Sequence, residues 1–115
     1  MNLRKKVGEF LFDFDFPTRV NGYQYLKEGM INILESDIMP SNKILFCDLA
    51  KRFNTDVDNI DRCLRTLVDK MWATFAKMGW FTERPTNREF IIKCAEFVSS
   101  RNSQASVYDI LSRPD

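Results

Sequence analysis

The sequence predicts an all-α fold, a compact helical domain of five or six helices that contains a helix-turn-helix. Three observations carry that expectation. Apolar residues recur at three- and four-residue steps through most of the chain, the spacing that gathers side chains on one face of a helix at about 100° per residue. The stretch ILFCDLAKRFNTDVDNIDRCLRTLVDKMW, Ile44 to Trp72, divides into two such amphipathic segments joined by a four-residue turn. With 115 residues, 44% of them apolar and ten of them phenylalanine, the chain fills one hydrophobic core and hardly two. A single domain is therefore expected over residues 1–101, followed by a C-terminal tail at 102–115.

Leu3 to Phe12 suits a helix, whereas Phe10, Phe12, Phe14 and Phe16 alternate as a strand would. A lone strand has nothing to pair with, so a helix ending near Asp13 is expected, then an extended link halted by Pro17. Asn21 is the expected N-cap of a second helix running to Glu35, with Tyr23, Leu26, Met30, Ile33 and Leu34 as its apolar stripe. Met39-Pro40-Ser41-Asn42 breaks the chain, and Ser41 or Asn42 caps a third helix, Lys43 to Phe53. That helix buries Leu45, Leu49 and Phe53 and sets Lys51 and Arg52 at the negative end of its dipole.

Asn54-Thr55-Asp56 turns the chain, and Thr55 or Asp56 caps a fourth helix with Val57, Ile60, Leu64, Leu67, Val68 and Met71 inside. Its pattern continues through Phe75 and Met78 to Gly79, a natural stop. Trp80 and Phe81 are expected to fill core or pack a helix end rather than stack on a base. Thr86 and Glu89 form a capping box behind Pro85 for a last helix lined by Phe90, Ile91, Cys94, Phe97 and Val98. Arg101 to Ser106 is polar and linker-like, and Asn102 to Asp115 is expected to be a frayed tail.

Composition narrows the function classes. Histidine is absent, which removes Ser-His and Cys-His nucleophile pairs and the commonest nitrogen ligand for metals. Cys47, Cys63 and Cys94 are odd in number, far apart and without zinc spacing; they are expected to be reduced, partly buried residues of a cytosolic protein. No glycine-rich phosphate loop occurs and the carboxylates scatter over helix faces, so neither an enzyme nor a cofactor is expected. Glu9, Asp13 and Asp15 interrupt the N-terminal apolar run, and no run nears the roughly 18 apolar residues a bilayer requires. A cytoplasmic location is expected, with no membrane partner. Seventeen basic residues against sixteen acidic ones give a net charge of +1, unlike a strongly basic nucleic-acid binder. Local placement of Arg and Lys outweighs that total.

The fourth helix carries the candidate site. Opposite its apolar stripe stand Asn59, Arg62 and Thr66, flanked by Asp58, Arg65 and Asp69, with Arg62 almost diametrically across from the core side. A helix-turn-helix sends such a face into the DNA major groove, where Arg62 suits a guanine edge and Asn59 or Thr66 a neighbouring base. Lys51, Arg52, Arg65 and Lys70 would set position on phosphates. A plainer reading exists for the charges: Asp58 with Arg62, Asp61 with Arg65, and Arg65 with Asp69 are spaced to pair on a solvated helix face.

The blocks NGYQYLKEG, LAKRFNT, the helix with Arg62 and Arg65, and PTNREF resemble, in the same order, one known family. It is the C-terminal DNA-binding effector domain of the master sporulation-initiation response regulator of endospore-forming bacteria, and the similarity spans roughly Phe14 to Ser100. The resemblance implies an all-helical domain of the winged-helix-like superfamily whose recognition helix is the fourth segment. It implies double-stranded DNA as partner, with tandem or paired binding to short promoter boxes and engagement of RNA polymerase. By position, Arg62 and Arg65 match recognition-helix arginines, Asp61 stands where the family has glutamate, and Asn59 stands where it has a base-contacting arginine. Asparagine suits adenine, so a different or weaker box is expected. The segment between Trp72 and Pro85 is shorter than in the family, and the chain begins close to where an effector domain follows a phosphoacceptor receiver domain.

The sequence thus leads to a sequence-specific DNA-binding transcriptional regulator of the sporulation-initiation effector type, lacking a receiver domain. Base contacts are expected from Asn59, Arg62, Arg65 and Thr66, and phosphate contacts from Lys51, Arg52 and Lys70. The alternative is a protein-interaction module derived from this domain, docking on a regulator or on RNA polymerase without specific DNA binding. Near-neutral charge and Asn59 favour that alternative.

Overall fold

The computed structural model describes residues 2–36 and 40–111, the last ten of these as backbone. Among the described residues five helices follow one another: α1 (Leu3–Asp13), α2 (Asn21–Glu35), α3 (Asn42–Arg52), α4 (Val57–Ala76) and α5 (Asn87–Leu111). No strand occurs among the described residues.

α1 starts where the Asn2 side chain accepts the Lys5 N–H and stops where Asp15 takes a left-handed turn at φ 60°. Helical phase resolves the alternating phenylalanines. Phe10 and Phe16 are buried, while Phe12, about 200° round from Phe10, is 83% exposed. Phe10, Phe14, Phe16, Phe75, Trp80, Phe90 and Phe97 form one aromatic cluster, with Trp80 stacked 4.5 Å from Phe75. Trp80 and Phe81 are half-buried against the core, as their sequence context suggested.

α2 is the central element and packs against each of the other four helices. Its N-cap is Val20, with no side-chain cap, and Asn21 is the first helical residue; the expected cap at Asn21 is corrected here. Tyr25, Leu26, Met30, Ile31 and Ile33 are buried, and small Gly22 and Gly29 let α4, α3 and α5 approach the axis closely. Glu28 is also buried, held by guanidinium groups of Arg4 from α1 and Arg52 from α3.

The helix-turn-helix is α3, the turn Phe53 to Asp56, and α4. Of the break before α3, Met39 lies outside the described residues, and the Ser41 hydroxyl caps the helix by accepting the Ile44 N–H. Leu45, Phe46, Leu49 and Ala50 are buried. Asn54 adopts φ 51° in the turn, the Thr55 N–H reaches back to the Ala50 carbonyl, and Asp56 caps α4 by accepting the Asn59 N–H at 2.8 Å. α4 buries Ile60, Leu64, Leu67, Val68, Met71 and Phe75. Val57, expected in that stripe, is 38% exposed and stands beside exposed Asp58 at the start of the first turn. Gly79, at φ 85°, turns the chain after α4.

Thr86 and Glu89 make the expected reciprocal capping box, and Phe90, Ile91, Cys94, Ala95 and Val98 face the core. α5 continues to Leu111, beyond the onset of the expected frayed tail; Ser112 to Asp115 lie outside the described residues.

Candidate nucleic-acid interface

α4 is fixed on its inner side and open on its outer one. Its inner side lies so close to α2 that the Cys63 carbonyl nearly touches Gly22. At 100° per residue Arg62 then falls at the middle of the outward face, and it is exposed. Asn59, Thr66 and Lys70 flank it on the edge nearer α2, and Arg65 and Asp69 on the edge nearer residues 81–86.

The Asp58–Arg62 pair that the spacing allows does not form. The Arg62 Nη2 instead donates to Asn59 Oδ1 at 2.7 Å, and the Thr66 hydroxyl donates to the Arg62 carbonyl at 3.1 Å. Asn59 is half-buried, and its amide nitrogen donates to the Thr55 hydroxyl at 3.0 Å and to the Tyr25 hydroxyl at 3.3 Å. Arg65 pairs with Asp61 one turn back. Asp61 also accepts from the buried Asn87 amide at 2.9 Å, which fastens α4 to the start of α5. Asp69 is paired with Arg84 at 2.6 Å, and Arg84 also donates to the Arg65 carbonyl, so the segment after Gly79 braces the outer edge of α4.

Of the expected phosphate cations, Lys51 and Lys70 are exposed. Arg52 donates to Glu28 at 2.9 Å, while its side chain remains 53% exposed. That contact helps hold the Glu28 carboxyl below its ordinary range; the hydrogen bond from Arg4 is the largest cause, and burial opposes it. Arg62, Asn59, Thr66 and Arg65 thus share one helix face, whereas Arg52 is turned toward α1 and α2.

Sequence reasoning missed four contributors. Tyr25, Arg84 and Asn87 act on α4 from 34, 15 and 26 positions away in sequence, beyond any local pattern. Arg19 lines a groove between the start of α2 and α4, together with Asn21, Gly22, Cys63 and Thr66. Its position just before a helix start was the one available signal. Among the described residues no helix is long and apolar enough to cross a membrane, and no cluster of three or more His, Cys, Asp or Glu is placed to hold a metal.

A family model described as the C terminal of sporulation initiation factor Spo0A matches residues 7–98, which takes in the whole helix-turn-helix, the bracing segment and most of α5's core-facing turns. This is a DNA-binding regulatory family rather than an enzyme family. With its all-helical fold and helix-turn-helix, the chain belongs to the Spo0A C-terminal family, the response-regulator effector domains that bind DNA and regulate transcription at the initiation of sporulation.

Proposed function

We propose that this chain recognises a specific duplex sequence through α4 laid in the major groove and regulates transcription from the promoter that carries it. The observation behind the proposal is the exposure of Arg62 on a helix whose other side is committed to the core. In this reading Arg62 donates to the two acceptors of a guanine edge, while Arg65 and Thr66 meet adjacent bases. Lys51, Arg52 and Lys70 contact phosphates and set the register. Paired occupancy of neighbouring boxes and contact with RNA polymerase belong to the same proposal, as does a place of action at the nucleoid.

Charge balance favours the rival reading, a protein-docking module that has lost specific DNA binding. The carboxylates of α4 would add to that preference, yet Asp61 and Asp69 are paired with the cations Arg65 and Arg84, and Asp61 also accepts a hydrogen bond from the Asn87 amide. The repulsion a phosphate would meet is correspondingly reduced.

Labelled promoter fragments and scrambled duplexes, titrated across a salt series, separate the two. Specific binding is expected, with a logarithmic salt slope of about −3 for three phosphate cations. Equal affinity for both duplexes at low salt would leave the docking module standing.

A further inference from the structure

We propose that Asn59 does not read a base but positions the arginine that does, through a chain of hydrogen bonds running from Tyr25 to Asn59 to Arg62. This deepens the DNA-reading proposal and rests on it.

An asparagine amide offers two N–H donors and two acceptor lone pairs. In this chain all four are in use. Nδ2 donates to Tyr25 Oη and Thr55 Oγ1, and Oδ1 accepts from Arg62 Nη2 and, at 3.7 Å, from Cys63 Sγ. To read adenine the amide must present one donor and one acceptor side by side to the base edge, so it would have to leave partners on both of its ends.

Chemistry fixes the orientation of the amide. A guanidinium has donors only, so the oxygen must face Arg62 and the nitrogen must face the two hydroxyls. The inner end is immobile: Tyr25 is 7% exposed and its ring lies edge-on to Phe53, 4.9 Å between centroids. The outer end is exposed. Asn59 therefore transfers the rigidity of the α2 core to a side chain that otherwise samples many rotamers, and Arg62 keeps N–H groups free for a guanine. The base pair facing Asn59 is left unread.

The test uses the full chain and its Tyr25→Phe, Asn59→Ala, Arg62→Ala and Asn59→Ala/Arg62→Ala variants. A box is first selected from random duplex DNA, and affinities are measured for that box, for duplexes changed one base pair at a time, and for unrelated DNA. Circular dichroism melting checks that each variant folds. Arg62→Ala is expected to lose about 5- to 150-fold of affinity for the box. Asn59→Ala and Tyr25→Phe are expected to lose about 2- to 12-fold. These losses fall on the same guanine that Arg62→Ala affects, with binding to unrelated DNA unchanged. The double variant should bind no more weakly than Arg62→Ala alone.

If Asn59→Ala relaxes preference at a different base pair, or the two losses multiply, Asn59 reads DNA itself and the proposal falls. If the parent chain selects no box at all, the DNA-reading function fails first and takes this inference with it.

Discussion

Gly22 lies against the backbone of Cys63: a methyl group on its Cα would stand 2.6 Å from the Cys63 carbonyl oxygen and 3.1 Å from Leu67 Cβ. The obstacle is the spine of α4, which cannot swing aside as a side chain does.

Gly22→Ala is therefore expected to be destabilising, with overpacking of about 1–3 kcal/mol that alanine's better helix propensity only partly offsets. Gly8 of α1 is the control, since nothing lies within 4 Å of a Cβ built there. Gly8→Ala should raise stability by about 0.5–1 kcal/mol. Urea midpoints of the two variants should move in opposite directions, and a neutral Gly22→Ala would contradict the close α2–α4 approach.

Removing the cap of α4 should affect stability and, if α4 reads DNA as proposed, binding together. The Asp56 carboxylate accepts the Asn59 N–H, and Asp56→Ala is expected to cost about 1 kcal/mol of stability. The first turn of α4, which carries Asn59, then frays, so specific DNA affinity should fall even though Asp56 itself touches no base. Hydrogen exchange of the first-turn amides compared with those of Leu64 to Val68 would locate the loss.

Acid should loosen the junction of α1, α2 and α3. The Glu28 carboxyl is held below its ordinary value, first by the hydrogen bond from Arg4 and then by the charges of Arg4 and Arg52. The unfolded chain thus takes up the proton first as pH falls. Glu28's contribution is complete above the ordinary glutamate value of about 4.3, declines below it, and is gone once pH passes the depressed folded value. Glu89, lowered by hydrogen bonds from Thr86, shifts stability in the same direction. Glu28→Gln should flatten the fall in urea midpoint between about pH 5 and pH 3 relative to the parent. An unchanged slope would show that the Arg4–Glu28–Arg52 contact carries no stability.

Thiol reactivity should sort the cysteines by burial. Cys94 is fully enclosed and burial pushes its thiol well above the ordinary range, whereas Cys47 and Cys63 are half-buried. An aromatic disulfide reagent at pH 8 is expected to modify Cys47 and Cys63 in the folded protein and Cys94 only after guanidinium is added. Prompt reaction of Cys94 would mean that the α5 face opens readily.

Much of the fold was legible because its signals are local. Ser41, Asp56 and the Thr86–Glu89 box sit within one helical turn of the amides they cap, so residue type and spacing sufficed. The second helix start was misplaced by one residue because Val20 caps α2 with backbone geometry alone and leaves no side-chain signature. The extent of α5 was underestimated for a related reason: polar residues such as Arg101 and Gln104 read as linker, yet backbone hydrogen bonding propagates through them once the preceding turns are anchored.

By itself the sequence determined that this is a helical protein with a helix-turn-helix, and which side of α4 faces inward, because a 3.6-residue repeat and the capping residues act over four positions or fewer. Only the tertiary structure decided how the outward side chains are engaged: Asn59 by Tyr25 and Arg62, Asp61 by Asn87, Asp69 by Arg84, and Arg52 by Glu28. A polar group's partner is set by which helices meet, and those meetings follow from how the whole core packs rather than from neighbours along the chain.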